Sequence, residues 1–286
     1  MSSIAFWRWC IYLLLKFKGE ITTESSRIGL SSACFYPEET LDAVKNCISL
    51  GFKNMEIFIN SFSELEGQYL REIRAVCRDG GISVVSLHPF TSGFEYMLFF
   101  SACKKRAIDS AEFYRRFFHA AAYLGAKYTV FHGDATTAPF FGMDNYCEVL
   151  SHLMDTAKSE GVTLAHENVS TARGGDPEFM RELHKRFGEG GVKFVFDLKQ
   201  TVRGGYDTHK MLDAMGSDIV HVHINDWSEG ECRLPYSGEL DLDGVIGRLE
   251  RGGYTGKYVI EVYRHNFACG EEILTAADEL KRREYK

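Results

Sequence analysis

Two histidines two positions apart, His221 and His223, lie inside the apolar run Ile219 to Trp227 (IVHVHINDW). In a strand, successive side chains point to opposite faces, so the two imidazoles share one face while Val220, Val222 and Ile224 share the other. A lone histidine in such a run usually serves a core through a hydrogen bond. Here other strand-like runs end in the same manner. TLAHENV carries Glu167, VKFVFD carries Asp197 and KYVIEVY carries Glu261, while His88 and His132 follow two more apolar runs. Three carboxylates and one imidazole, from Glu167, Asp197, His223 and Glu261, make an oxygen-rich set suited to Mn²⁺, Mg²⁺ or Co²⁺, with Zn²⁺ tolerated. His88 and His132 add nitrogen on the neighbouring side, to bind substrate or to hold a second ion with Glu167. Residue types alone leave both open.

These groups are far apart in the chain, so the fold must gather them. From Arg27 onward, short apolar runs alternate with longer helical patterns, the signature of βα units and a parallel sheet. Strands are expected at 28–32, 54–59, 82–87, 127–131, 162–166, 192–196, 219–227 and 258–262. Helices are expected at 37–50, 65–78, 104–124, 144–159, 177–187, 207–215, 242–251 and 271–283, several closed by glycine. Eight such units in about 250 residues predict an α/β protein, a single (β/α)8 barrel over 27–286, rather than an open doubly wound sheet. Neither GxGxxG nor a P-loop pattern is present. In a parallel barrel all strand C-termini share one rim, so His88, His132, Glu167, Asp197, His223 and Glu261 converge there. His221 then sits one layer deeper than His223, displaced by roughly 6 to 7 Å.

Composition bounds the partners. The formal charge of −7 provides no global basic footprint for nucleic acid. The cysteines are scattered without a CxxC pair and read as reduced cytosolic thiols, which places the protein in the cytoplasm. Residues 1–26 read as an N-terminal extension outside the barrel. Its apolar run Ile4 to Phe17 is interrupted by Arg8 and is shorter than the roughly 20 residues of a spanning helix, so no membrane partner is expected. A homo-oligomer stays open.

The blocks HEN (His166 to Asn168), FD (Phe196, Asp197), HxHxxD (His221 to Asp226) and IEVY (Ile260 to Tyr263) resemble those of the xylose isomerase-like TIM barrels. That superfamily includes sugar-phosphate isomerases, ketose 3-epimerases, hydroxypyruvate isomerase, inosose dehydratase and endonuclease IV. The resemblance runs from about Arg27 to the C-terminus. It implies that Glu167, Asp197, His223 and Glu261 hold one divalent ion, Mn²⁺ first among the candidates, and that Glu167 and Glu261 exchange a proton with a small sugar substrate. The implied logic is enolisation: a metal that chelates a carbonyl and its neighbouring hydroxyl makes the adjacent C–H acidic. Return of the proton gives epimerisation or isomerisation, and loss of a β-hydroxyl gives dehydration.

Departures from the pattern carry their own expectations. The family's strand-six block reads D-x-x-H, whereas Asp197 is followed by Gln200, so Gln200 stands where a histidine contacts substrate or metal. Endonuclease IV has an Asp-x-His pair after strand seven, and this chain offers Cys232, Arg233 and Leu234 there. Arg233, just ahead of PYSGELDL, resembles with a one-residue offset the substrate-binding arginine of the epimerases. The alternatives to a sugar isomerase or epimerase are a metal-dependent phosphodiesterase acting on abasic DNA, an inosose dehydratase-type lyase and a sugar-binding barrel without turnover.

Overall fold

The structure is a computed structural model that describes residues 26–284. The expected N-terminal extension therefore lies outside the described residues, except that Ser26 is already part of the barrel. Its carbonyl accepts hydrogen bonds from Asn54 Nδ2 at 2.9 Å and Lys257 Nζ at 2.8 Å.

Eight parallel strands close into a barrel: β1 (Ile28–Ser31), β2 (Asn54–Ile59), β3 (Ser83–Pro89), β4 (Tyr128–Phe131), β5 (Thr163–Glu167), β6 (Lys193–Asp197), β7 (Ile219–Ile224) and, after the hairpin described below, β10 (Tyr258–Ile260). Each pairs with its sequence neighbour, and β10 closes the ring between β7 and β1. Residues on a strand alternate faces, so the side chain two positions before each rim residue points into the barrel beneath it. Val130, Ala165 and Val195 occupy that layer under His132, Glu167 and Asp197, as a small apolar cluster separate from the main core. His221 lies under His223. The main core lies between the strands and the surrounding helices.

Those helices are α1 (Thr40–Ser49), α2 (Gly67–Asp79), α3 (Glu95–Phe99), α4 (Lys104–Leu124), α5 (Met143–Ser159), α6 (Pro177–Phe187), α7 (Leu198–Arg203), α8 (Thr208–Met215), α9 (Leu242–Arg251) and α10 (Gly270–Glu284). Their sequences explain where they begin and which face they bury. In α9, Asp241 accepts from Gly244 N at the start, and Leu242, Val245, Ile246 and Leu249 bury one stripe at helical spacing. Asp176 caps α6 in the same way, with Pro177 in the first turn. Gly125 ends α4 in the left-handed region at φ 84°, where a side chain would be strained.

Three differences from the sequence expectation matter for the site. The strand expected to run to Trp227 stops at Ile224, and Asp226–Ser228 (β8) pairs antiparallel with Glu231–Arg233 (β9) as a hairpin over the rim. The cause is Asn225: its side chain donates to Asp197 Oδ1 at 3.1 Å and its Oδ1 accepts from Lys199 N at 2.8 Å, turning the chain out of the barrel. Second, the stretch between the expected strand at 82–87 and the expected helix at 104–124 contains a further helix, α3. Third, α7 follows Asp197 directly, with Asp197 accepting from Gln200 N as its cap. All seven described cysteines are free thiols, four of them buried. Among the described residues, no helix is long and apolar enough to cross a membrane.

Candidate functional site

At the C-terminal rim the structure brings together six of the expected residues. His223 Nδ1 is buried, has no hydrogen-bond partner, and lies 3.4 Å from Glu167 Oε1, 3.6 Å from Asp197 Oδ2 and 3.4 Å from Glu261 Oε2. A nitrogen facing three carboxylates is a cation cradle. The four side chains offer one donor atom each within a sphere that suits a single ion. Beside them, His132 Nε2 lies 2.9 Å from Glu167 Oε2 and 3.1 Å from His88 Nε2. Two imidazole nitrogens that close need a shared proton or a cation between them. With Glu167 they form a second group able to hold an ion.

The supports of these side chains come from residues that sequence reasoning did not single out. Glu56, fully buried on β2, places Oε2 3.0 Å from Nε2 of both His221 and His223. A carboxylate acceptor at Nε2 leaves Nδ1 of His223 aimed at the other three carboxylates. Burial works against the charge on Glu56, but His223 and His221 outweigh it and hold the carboxyl well below its ordinary value. Ser31 and Ser86 donate to its two oxygens at 3.1 and 2.7 Å, which completes the buried network. Its sequence signal is a carboxylate inside the apolar strand NMEIFI, where solvent has no access. Glu95, on α3, accepts from His132 N at 2.8 Å and Gly133 N at 2.7 Å, fixing the end of β4 that presents His132.

Lys199 was also missed. Its side chain is 2% exposed, and its ammonium is paired with Asp197 Oδ2 and Glu261 Oε2, two of the four candidate ligands. Burial opposes that charge, and the two carboxylates nonetheless hold the ammonium well above its ordinary pKa. Similar competition sets the others. Burial works against charge on Glu167, yet His132 and its neighbours keep the carboxyl well below the usual range. For His88, burial is outweighed by a hydrogen bond to Glu167 and by the charges of Glu56, Glu167 and Glu261, which lift it to about 9.

A cavity of about 350 Å³ opens over this cluster, lined by His88, His132, Glu167, Lys199, Gln200 and Glu261, with Tyr36, Phe58 and Tyr263 as aromatic walls. Gln200 does line it, with Oε1 accepting from Ser170 Oγ at 2.9 Å and Ser170 N at 3.2 Å. Arg233, also expected to meet substrate, is not among the residues lining this cavity. The β8–β9 hairpin turns its guanidinium to Ser228 Oγ at 3.1 Å, Glu229 at 3.3 Å and Glu231 at 3.5 Å, over a separate surface cleft.

The description "xylose isomerase-like TIM barrel" belongs to a family model that matches residues 44–283. Among relatives, an uncharacterized protein of Mycobacterium leprae is 24% identical over 261 residues, covering 82% of this chain and 88% of its own length. An uncharacterized protein of Mycobacterium tuberculosis is 25% identical with the same coverage. Among solved structures, a D-tagatose 3-epimerase-like protein superposes with a TM-score of 0.73 at 19% identity, over 90% of this chain and 97% of that one. A D-psicose 3-epimerase crystallised in the presence of D-fructose gives 0.73 at 15% identity, over 89% and 98%. The 3-keto-D-glucoside 4-epimerase of E. coli gives 0.67 at 18% identity, over 92% and 100%. With a closed barrel of eight parallel strands and a family model spanning most of its length, the chain belongs to the xylose isomerase-like TIM barrel family.

Proposed function

We propose that this protein is a divalent-metal-dependent isomerase or epimerase of a sugar or sugar derivative, acting by proton transfer beside a carbonyl. The observation that carries the proposal is the buried, unpartnered His223 Nδ1 facing Glu167, Asp197 and Glu261, of which Glu167 and Glu261 line an open cavity. These four residues would hold the ion, Mn²⁺ first with Mg²⁺, Co²⁺ or Zn²⁺ in its place. When bound, the ion supplies positive charge next to the oxygens of an enediolate. Glu167 and Glu261 each turn one oxygen to His223 Nδ1, at 3.4 Å, and each has a second oxygen with which to take or return a proton. His88, His132 and Gln200 line the space a polyhydroxy chain would fill, and Tyr36, Phe58 and Tyr263 give its C–H faces an apolar wall. The solved epimerases that share the fold support the sugar class by analogy. A cytoplasmic setting accords with the free thiols.

The test is metal analysis of the purified protein followed by incubation of ketoses, aldoses and inososes in D₂O. Deuterium appearing in one substrate, dependent on the ion, supports the proposal even without net product; no exchange in any of them counts against it. The His88, His132 and Glu167 group favours a second reading, a two-ion phosphodiesterase acting on abasic DNA. Strongly salt-dependent binding to abasic duplex, with cleavage and without sugar exchange, would select that reading.

A further inference from the structure

Lys199 is the one ammonium buried within the candidate ligand set among the described residues, and its position is built rather than incidental. Its backbone N–H is fixed by Asn225 Oδ1 at 2.8 Å, and its Nζ lies 5.9 Å from the centre of the Tyr263 ring, facing the cavity. From there it pairs with Asp197 Oδ2 and Glu261 Oε2, the same two oxygens that face His223 Nδ1. A divalent ion drawing on those oxygens would stand against the ammonium, and two cations at such separation repel strongly in a buried site. The ammonium and an ion would therefore compete for Asp197 Oδ2 and Glu261 Oε2.

We propose that Lys199 is an internal competitor for the metal: its ammonium closes the ligand set when no ion is bound, and an incoming divalent ion displaces it from Asp197 and Glu261 into the cavity beside Tyr263. The inference rests on the ligand set assigned above. In the closed form the lysine neutralises carboxylates that would otherwise repel one another at the top of the barrel, so the barrel holds together without metal. The same contact lowers apparent affinity for the ion, because only the fraction of molecules with the lysine withdrawn can bind. In the loaded form the displaced ammonium becomes a cation on the cavity wall, available to an oxygen of the substrate.

The test measures Mn²⁺ binding to the full chain by calorimetry, in the wild type and in Lys199→Met, which keeps a four-atom apolar stem and removes the ammonium. The variant is expected to bind Mn²⁺ more tightly, by about tenfold or more if the closed form dominates, and to melt lower than the wild type without metal. So that the test does not depend on the variant folding when metal-free, the wild type is tested independently by reductive methylation read by mass spectrometry. Lys199 is expected to be protected without Mn²⁺ and modified with it. Equal Mn²⁺ affinity in the two proteins, or a Lys199 that stays equally protected while Mn²⁺ is bound, overturns the competition and leaves the ligand set standing. Absence of Mn²⁺ binding in both proteins overturns the ligand set itself and the competition with it.

Discussion

Glu56 Oε2 lies 3.0 Å from His223 Nε2, and the same oxygen lies 3.0 Å from His221 Nε2, so one buried carboxylate on β2 orients two imidazoles on β7 across the barrel. Removing its charge while keeping its shape tests whether that support matters. In Glu56→Gln one amide oxygen can still face both ring nitrogens, but the negative charge that orients them is gone and the NH₂ replaces the oxygen that accepts from Ser31. Mn²⁺ affinity is expected to fall about 10- to 100-fold, the usual range for loss of such an outer partner, with circular dichroism unchanged. Unchanged affinity in calorimetry would remove Glu56 from the site's design.

The two histidines themselves should separate. His221 reaches Glu56 and Ser86 in the deeper layer, at 3.0 and 3.2 Å, whereas His223 alone turns a second nitrogen to the three carboxylates. His223→Ala is expected to lose Mn²⁺ on gel filtration, and His221→Ala to keep a measurable share of it. The opposite pattern in metal content would place the ligand one layer down.

How much of this was legible follows from where each residue sits on its strand. Glu167, Asp197, His223 and Glu261 announce themselves because each closes an apolar run, and a parallel barrel carries all such ends to one rim. Glu56 does not close a run; it sits in the middle of β2, and only closure of the barrel shows that its face is turned toward β7. Lys199 lies two residues past Asp197 in α7, a helix of 6 residues that is too short to leave a periodic signal. Arg233 stands apart from these residues. Its neighbourhood resembles a substrate loop, but the pairing of Trp227 with Cys232 makes a hairpin whose geometry sequence does not specify.

At the opposite end of the barrel, Asp218 ties the start of β7 to its surroundings. Lys193 Nζ donates to it at 2.5 Å, Gly190 N at 2.7 Å, and His184 Nε2 lies 3.0 Å away. Burial pushes the carboxyl up, but Lys193 and Gly190 outweigh it and the net shift is downward. A depressed carboxylate stabilises the fold above its unfolded pKa, and that contribution is lost as pH falls through the folded value. Asp218→Asn is therefore expected to cost about 1–3 kcal/mol at pH 7. In urea melts the gap to the wild type should narrow once the pH drops below the ordinary aspartate range. A gap that stays constant as the pH falls well below that range would mean that the aspartate contributes shape alone.

The last prediction concerns the proton itself. Glu167 and Glu261 stand 3.4 Å from the same His223 Nδ1, yet their surroundings differ: Glu167 is 2% exposed against His132, and Glu261 is 13% exposed against Lys199. Two carboxylates in unlike environments are suited to opposite halves of a proton exchange. Glutamine keeps a carbonyl oxygen for a cation but cannot accept a proton, so Glu167→Gln and Glu261→Gln should fold, retain part of their Mn²⁺, and lose turnover by about 10²- to 10⁴-fold. If each carboxylate serves one face of the substrate, one variant will still exchange the substrate hydrogen with D₂O while failing to complete the product, and the other will do neither. Mass spectrometry of substrate recovered from D₂O, set beside product formation, reads both quantities in one incubation. Wild-type turnover in both variants would leave the two carboxylates as ligands without a proton role.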